Sequence, residues 1–454
     1  MPLVSRTIPN LVQGVSQQPE ILRLPSQADE QVNGFSSVVE GLKKRPPSKH
    51  IAKISTSSFA NSFVHTINRD VTERYIISIS AGAIKVFELD GTEKTVVAQT
   101  NAVNYLNATN PKQDYVATTV ADFTFILNKN ISPAFSSTTS PAKVEQAVYT
   151  VTQGVSSASY SLTIDNTVYS TSGSNNGQTI RDALFSAIQS SPPADVTVTE
   201  IGVGSIGITK STGTLNVSSS DGYGNDASQV VKDKVQNFAD LPSPAINNMV
   251  VEVTGDAGNT FDNYYVIFEE FQDGDGVWKE TVAPDIQIEL DSTTLPHALI
   301  RTADGNFRFT QLDGTTYQVS GTDYTTPKYG QRVAGDEESA LTPSFVGRKL
   351  NDLFFHRNRL GFLSDENVIM SRAGEFFDFF PETVTQLLDT DPIDIASTHT
   401  KVSILRHAIS FDEELLLFSD QTQFIMSGEA TLTASNVAIN LSLIHIWRCR
   451  RSTL

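Results

Sequence analysis

The sequence predicts a mainly β protein: propeller-like β-hairpin blades that carry an extended N-terminal arm and inserted α+β and β-sandwich-like domains. Three observations predict it. Runs rich in β-branched and aromatic residues recur in pairs across short polar turns, at 74–80 with 83–89, 115–119 with 123–127, 352–364 with 367–370, and 414–418 with 423–426. Such pairs are hairpins, and hairpins spaced along a chain build sandwiches, barrels or propellers. The start of the chain scatters its apolar residues singly among Pro and Gly. Between roughly 135 and 340, Ser, Thr, Gly and Asn rise and strongly apolar strands thin out, which marks inserted material.

Taken in order, residues 1–60 form the arm. Pro19, Pro25, Pro46 and Pro47 withhold backbone donors, and Gly14, Gly34 and Gly41 supply turn conformations, so the segment is extended and must lean on something else. Residues 61–134 are the first hairpin part. Residues 135–240 are an α+β module, with a hairpin turning at Asp165-Asn166 and a helix over 179–189. In that helix Ile180, Ala183, Leu184, Ala187 and Ile188 share one face, and Thr179 with Asp182 resembles a capping box. Residues 241–310 are β-sandwich-like, with strands at 249–253, 264–268, 277–278 and 286–290. Residues 311–342 are a polar linker, mobile unless a neighbour covers it. Hairpins resume over 343–441. Residues 442–454 depart from every trend: they are basic, hold the only cysteine (Cys449), and resemble translated adapter read-through, so an artefactual end is expected there.

Composition excludes several classes. At 454 residues the chain has room for about three domains, and 39% apolar content supports real cores. No run approaches the ~18 apolar residues of a membrane helix, and the N-terminus lacks a signal-peptide core. A single cysteine excludes an internal disulfide framework. The net charge of −18 disfavours non-specific binding to nucleic acid through phosphate neutralisation. It does not exclude DNA as a passenger, since a channel that lets DNA slide is better lined with acids or neutral polar groups than with lysines; the simpler reading of the surplus is solvated surface.

No motif assigns chemistry. Gly202, Gly204 and Gly207 match G-x-G-x-x-G, but the dinucleotide fingerprint needs a following helix, and residues 208–217 read as strand, turn and strand. Asp262, Glu269, Glu270, Asp273 and Asp275 are candidate paired acids for glycoside hydrolysis; Asp273-Gly-Asp-Gly276 reads more simply as a hairpin turn. The histidines are dispersed, and His399 and His407 lack zinc spacing. In His356-Arg-Asn-Arg359 a turn is expected whose arginines pair with acids. No catalytic, cofactor-binding or metal residue is assigned and no cofactor is expected. Lys43, Lys44 and Arg45, with Lys49 and His50, form the one dense basic cluster of an acidic chain. With Arg23 of the same arm, they are the candidate partner-docking residues.

The arm also carries a family resemblance. Gly-Val-Ser-Gln-Gln-Pro at 14–19, Leu22-Arg23, Gln31-Val-Asn-Gly34 and Glu40-Gly-Leu-Lys-Lys-Arg-Pro-Pro47 resemble the start of the tail tubular protein B, or nozzle, family of short-tailed autographivirus-type phages. Further matches follow in order, among them Ile67-Asn-Arg-Asp70, Pro296-His-Ala-Leu299, Pro343-Ser-Phe-Val-Gly347, Asn358-Arg-Leu-Gly-Phe-Leu-Ser364 and Asp391-Pro-Ile-Asp-Ile395. They reach about Leu441 and are weakest between 130 and 240, while members of the family continue for several hundred residues more. The resemblance implies a virion structural protein assembled in the bacterial cytoplasm. It implies a hexameric tube beneath the tail adaptor (tail tubular protein A), help in attaching tail fibres, and DNA as a passenger retained and then released. The alternatives are a tail-associated polysaccharide hydrolase using the acids at 262–275, and a non-catalytic host-surface glycan-binding module.

Overall fold

The computed structural model describes residues 10–80, 82–255, 263–272, 274–397, 403–429 and 431–441. The chain divides into two compact units, Met1–Thr56 and Ser57–Leu454.

The first unit is not extended throughout. A single 3₁₀ turn, Glu20–Leu22, follows Pro19, and Gly34–Ser37 pairs antiparallel with Gly41–Lys44. Gly41 makes that hairpin possible: its φ of +75° is left-handed, and a Cβ there would lie 2.4 Å from Asn10 Oδ1. Gly41 is also the only buried residue among those described in this unit. The hairpin has no apolar core of its own, and isolated two-stranded hairpins are at best marginal in water.

The second unit is a series of small sheets. Phe63–Asn68, Arg74–Ser80, Ala83–Glu88 and Glu93–Lys94 form an antiparallel meander. Asp352–His356, Arg359–Ser364, Asn367–Met370 and Ile393–Ala396 form another, and Leu405–Phe411, Glu414–Ser419, Gln423–Ser427 and Ala438–Leu441 a third. A five-stranded sheet orders Val96–Ala98, Phe307–Thr310, His297–Arg301, Phe123–Asn128 and Tyr115–Val120. Shared cores join these sheets in sequence. Ile77, Ile79 and Val86 of the first meander pack with Ile126, Leu299 and Phe309 of the five-stranded sheet. Phe125 and Leu127 on that sheet's other face pack with Leu353, Leu360 and Phe362, and Leu363, Val368 and Met370 pack with Leu415, Leu417 and Met426. Each such side chain contributes about 1.5–3 kcal/mol by leaving water. No sheet closes on itself among the described residues.

The five-stranded sheet shows where the insertion enters. Phe123–Asn128 is hydrogen-bonded to His297–Arg301, so residues 129–296 leave and return between neighbouring strands. Inside lie two sheets, Val196–Ile201, Ser205–Lys210, Glu145–Val151 and Ser228–Val231, and Thr167–Ser172, Ser159–Ile164 and Val217–Asp221. The helix Gly177–Ser190 packs on them through Ile180, Leu184 and Ile188. A further sheet holds Lys234–Val235, Val250–Val253, Tyr264–Gln272 and Asp275–Thr281.

Several expectations need correction. The helix starts two residues earlier than its periodicity implies, and its cap is Asn176, whose Oδ1 accepts from Gln178 N at 2.9 Å, instead of Thr179. Residues 297–301 and 307–310 do not belong to a sandwich at 241–310, because they complete the five-stranded sheet. Residues 286–290 make only isolated bridges, Gln287 with Thr139, Glu289 with Gln331 and Leu290 with Phe135. The stretch 311–342 is more than a polar linker: it contains the hairpin Thr316–Val319 with Thr322–Thr325, and Leu312, Tyr329 and Arg332 are buried. The Tyr329 hydroxyl donates to Pro296 O at 3.0 Å, and the Arg332 guanidinium to Gln287 O at 3.0 Å, which ties the stretch to the body.

Candidate partner-docking arm

Arg23 and Arg45 are engaged inside the arm. Arg23 donates to Gln18 O at 3.2 Å and lies 3.7 Å from Asp29, bracing the turn after Pro19. Arg45 N donates to Asn33 O at 2.8 Å, and its guanidinium donates to Asn33 Oδ1 at 3.2 Å, which closes the open end of the hairpin. Lys43 pairs with Glu40 across the turn. Lys44, at the end of the strand, is exposed, as are Lys49, His50 and Lys53 beyond it. The four candidate residues thus split into two roles: the arginines shape the arm, and the lysines face solvent.

The residues that charge reading missed are apolar. Ile21 and Val39 are each 92% exposed and Val38 is 87% exposed, with Phe35 and Val32 also open. Their signal in the sequence is weak, since they occur singly or in pairs among Pro, Gly and polar residues, with no strand or helix period. The arm's own hydrogen bonds hold its shape, but nothing in it buries these side chains, and open apolar surface marks an interaction site.

The other candidates are structural in their geometry. Gly202 (φ +47°) and Gly204 (φ +83°) turn the chain between antiparallel strands Val196–Ile201 and Ser205–Lys210, and Gly207 lies within the second strand, so a strand and not a helix follows the loop. Glu269 is ion-paired to Lys279, and Glu270 Oε1 accepts from Gly274 N at 2.7 Å, capping the expected hairpin turn. Asp275 opens the returning strand. Asp262, Asp273, His399, Cys449 and the whole of 442–454 lie outside the described residues. His407 Nδ1 is 3.7 Å from Asp352, and no cluster able to hold a metal occurs among the described residues. No helix there is long and apolar enough to cross a membrane.

The turn at 356–359 is present, with Arg357 and Asn358 at φ +44° and +60°, as a two-residue hairpin requires. Arg357 pairs with Glu413 at 3.5 Å, as expected. Arg359 does not pair with an acid's carboxylate through any hydrogen bond; it is buried and donates to the carbonyl oxygens of Ser371 (2.7 Å), Asp389 (3.0 Å), Asp391 (2.6 Å) and Leu432 (3.3 Å). It thereby fastens the loop before Ile393 to the next sheet.

An arm that buries no apolar side chain of its own, attached to a body of small stacked sheets, defines the class: a β-rich assembly protein. The chain belongs to the bacteriophage nozzle protein family, whose sequence model matches residues 1–443. It is 35% identical to tail tubular protein gp12 of Escherichia phage T7 over 97% of this chain and 55% of that protein, so the chain spans about half the length of its curated relative. Among solved structures, the extracellular domain of a one-component-system protein from B. thetaiotaomicron aligns with a TM-score of 0.16 and 12% identity, over 81% of this chain and 51% of that one; it carries no argument about the fold.

Proposed function

We propose that the chain is a subunit of the short-tail nozzle, a hexameric tube below the tail adaptor (tail tubular protein A) that helps attach tail fibres, retains packaged DNA and lets it pass. The observation that carries this reading is the open arm: side chains such as Ile21, Val38 and Val39 need a cover that the arm does not supply. Six-fold closure requires a heterologous interface, with two different faces per subunit. An arm meeting a foreign face provides such a pair. The three antiparallel meanders, joined by shared cores in chain order, act as successive blades of a propeller-like body in this reading. The surplus of acids, 51 against 33 basic residues, keeps the DNA passage free of points of retention.

Catalysis is not part of the proposal, because Glu269 and Glu270 are committed to an ion pair and a turn cap. Negative-stain microscopy of the chain with its adaptor tests the reading. Six-fold tubes are expected, and particles that remain monomeric beside intact adaptor rings would overturn it. Release of reducing sugar from host-surface polysaccharide would favour the hydrolase instead.

A further inference from the structure

A groove of about 390 Å³ opens in the second unit between residues 339–344 and 381–394, lined by Leu341, Pro343, Phe379, Pro381, Val384 and Leu387. Its rims are apolar and open, with Leu341 and Leu387 each 67% exposed. Its walls are pinned. Glu280 on the strand Asp275–Thr281 accepts from Val384 N at 2.7 Å and Thr383 Oγ1 at 2.5 Å, and Asp394 Oδ2 accepts from Ser344 N at 2.7 Å. Asp391 lines the groove, is 3% exposed, and leaves Oδ1 without a hydrogen-bond partner among the described residues.

The surroundings are acidic. Residues 333–347 and 373–397 contain no Lys or Arg, and Glu337, Glu338, Asp389 and Asp394 are exposed. The inverse pattern stands in the arm: residues 41–56 hold Lys43, Lys44, Arg45, Lys49 and Lys53 and no acid. The same run exposes Leu42, Ile51 and Ile54 in the isolated chain and is stiffened by Pro46 and Pro47. One surface is acidic and concave with apolar rims; the other is basic and extended with apolar side chains to bury. Because a single sequence supplies both, the occupant is a second copy of this chain.

We propose that residues 45–54 of one copy seat in this groove of another, with Ile51 and Ile54 against Leu341 and Leu387 and the lysines over the rim acids. This deepens the proposed tube, and rests on it, by naming the two faces of its repeating contact.

The test uses two single-cysteine versions of the full chain, both carrying Cys449→Ser: Ile51→Cys in one and Leu387→Cys in the other. Both sites are exposed, so folding is unaffected, which circular dichroism checks. Because the cysteines reside on different chains, a mixed covalent dimer can form only between copies. At about 100 µM protein, oxidation is expected to yield roughly tenfold more mixed dimer than the pairing of Ile51→Cys with a control Val203→Cys, reflecting the raised effective concentration at a specific contact. Adding Leu341→Glu to the Leu387→Cys chain should return the yield to control, and raised salt should lower it. A mixed-dimer yield equal to control overturns the inference. Six-fold tubes seen alongside a control-level yield would sink this contact while leaving the nozzle reading intact.

Discussion

His297 sits at the centre of the five-stranded sheet, fully buried, stacked on Tyr105 at a ring separation of 4.0 Å, with Nδ1 2.9 Å from Leu295 O and Nε2 unpaired. Burial holds its pKa down, to about 4. The unfolded chain, titrating near the ordinary value of about 6.5, therefore binds the proton first as pH falls. Stability from the neutral ring is complete above about pH 6.5 and is lost progressively down to about pH 4, amounting to about 3 kcal/mol at the limit. Urea midpoints at pH 7.5 and 5.0 should show this fall, and His297→Gln should remove about one proton's worth of slope from that window; an unchanged slope would refute the assignment. Arg359 makes a second prediction at this scale. Arg359→Met removes five carbonyl partners at once, those of Ser371, Asp389, Thr390, Asp391 and Leu432, and should cost on the order of 3 kcal/mol or more, read as a lowered denaturant midpoint. Arg359→Lys should recover only part, since an ammonium cannot reach across the same fork.

Among the elements, the helix Gly177–Ser190 was legible because Ile180, Leu184 and Ile188 repeat at helical spacing and all three are buried. Its cap was not, because Thr179 and Asp182 imitate a capping box one turn inside the true start. Asn176→Ala should cost about 1 kcal/mol, whereas Thr179→Ala should cost little, and thermal melts of the two variants separate the assignments. The hairpin at Asp165-Asn166 was legible for a local reason as well: both residues adopt positive φ (+45° and +72°), which Asp and Asn tolerate. Residues 297–310 were assigned to the wrong body. Their strand character is local, but their partners, Phe123–Asn128 and Val96–Ala98, lie far back in the chain. Residue patterning carries no address for such a partner.

For the whole molecule, the split of charge between a basic arm segment and an acidic remainder sets the behaviour to expect. Replacing Lys43, Lys44 and Arg45 by Glu should impair assembly while leaving the body's melting transition in place, because no core residue of the second unit is touched. Sedimentation at physiological salt checks it, and normal ring formation by the triple variant would argue against a docking role for the cluster. The arginine will contribute differently from the lysines: Arg45→Ala should loosen the arm hairpin through loss of its contact to Asn33, whereas Lys44→Ala should leave the hairpin intact. Of the candidate site, the lysines were visible as a charge run; the open Ile21, Val38 and Val39 were not, since exposure of an isolated apolar residue depends on what the fold leaves beside it.

Taken by itself, the sequence determined the β class, the longest helix among the described residues, the turns at Asp165-Asn166 and Arg357-Asn358, and, through a run of ordered motifs, membership of the nozzle family. These follow from short-range chemistry: side-chain periodicity, tolerance of positive φ, and local motif order. Tertiary structure alone decided that residues 129–296 are threaded between two adjacent strands, that Tyr329 and Arg332 turn a polar stretch into a packed one, and that Arg359 serves carbonyl groups of separate loops, at 371, 389–391 and 432. Those outcomes depend on which distant segments meet, and burial and hydrogen-bond satisfaction are properties of the meeting rather than of either segment.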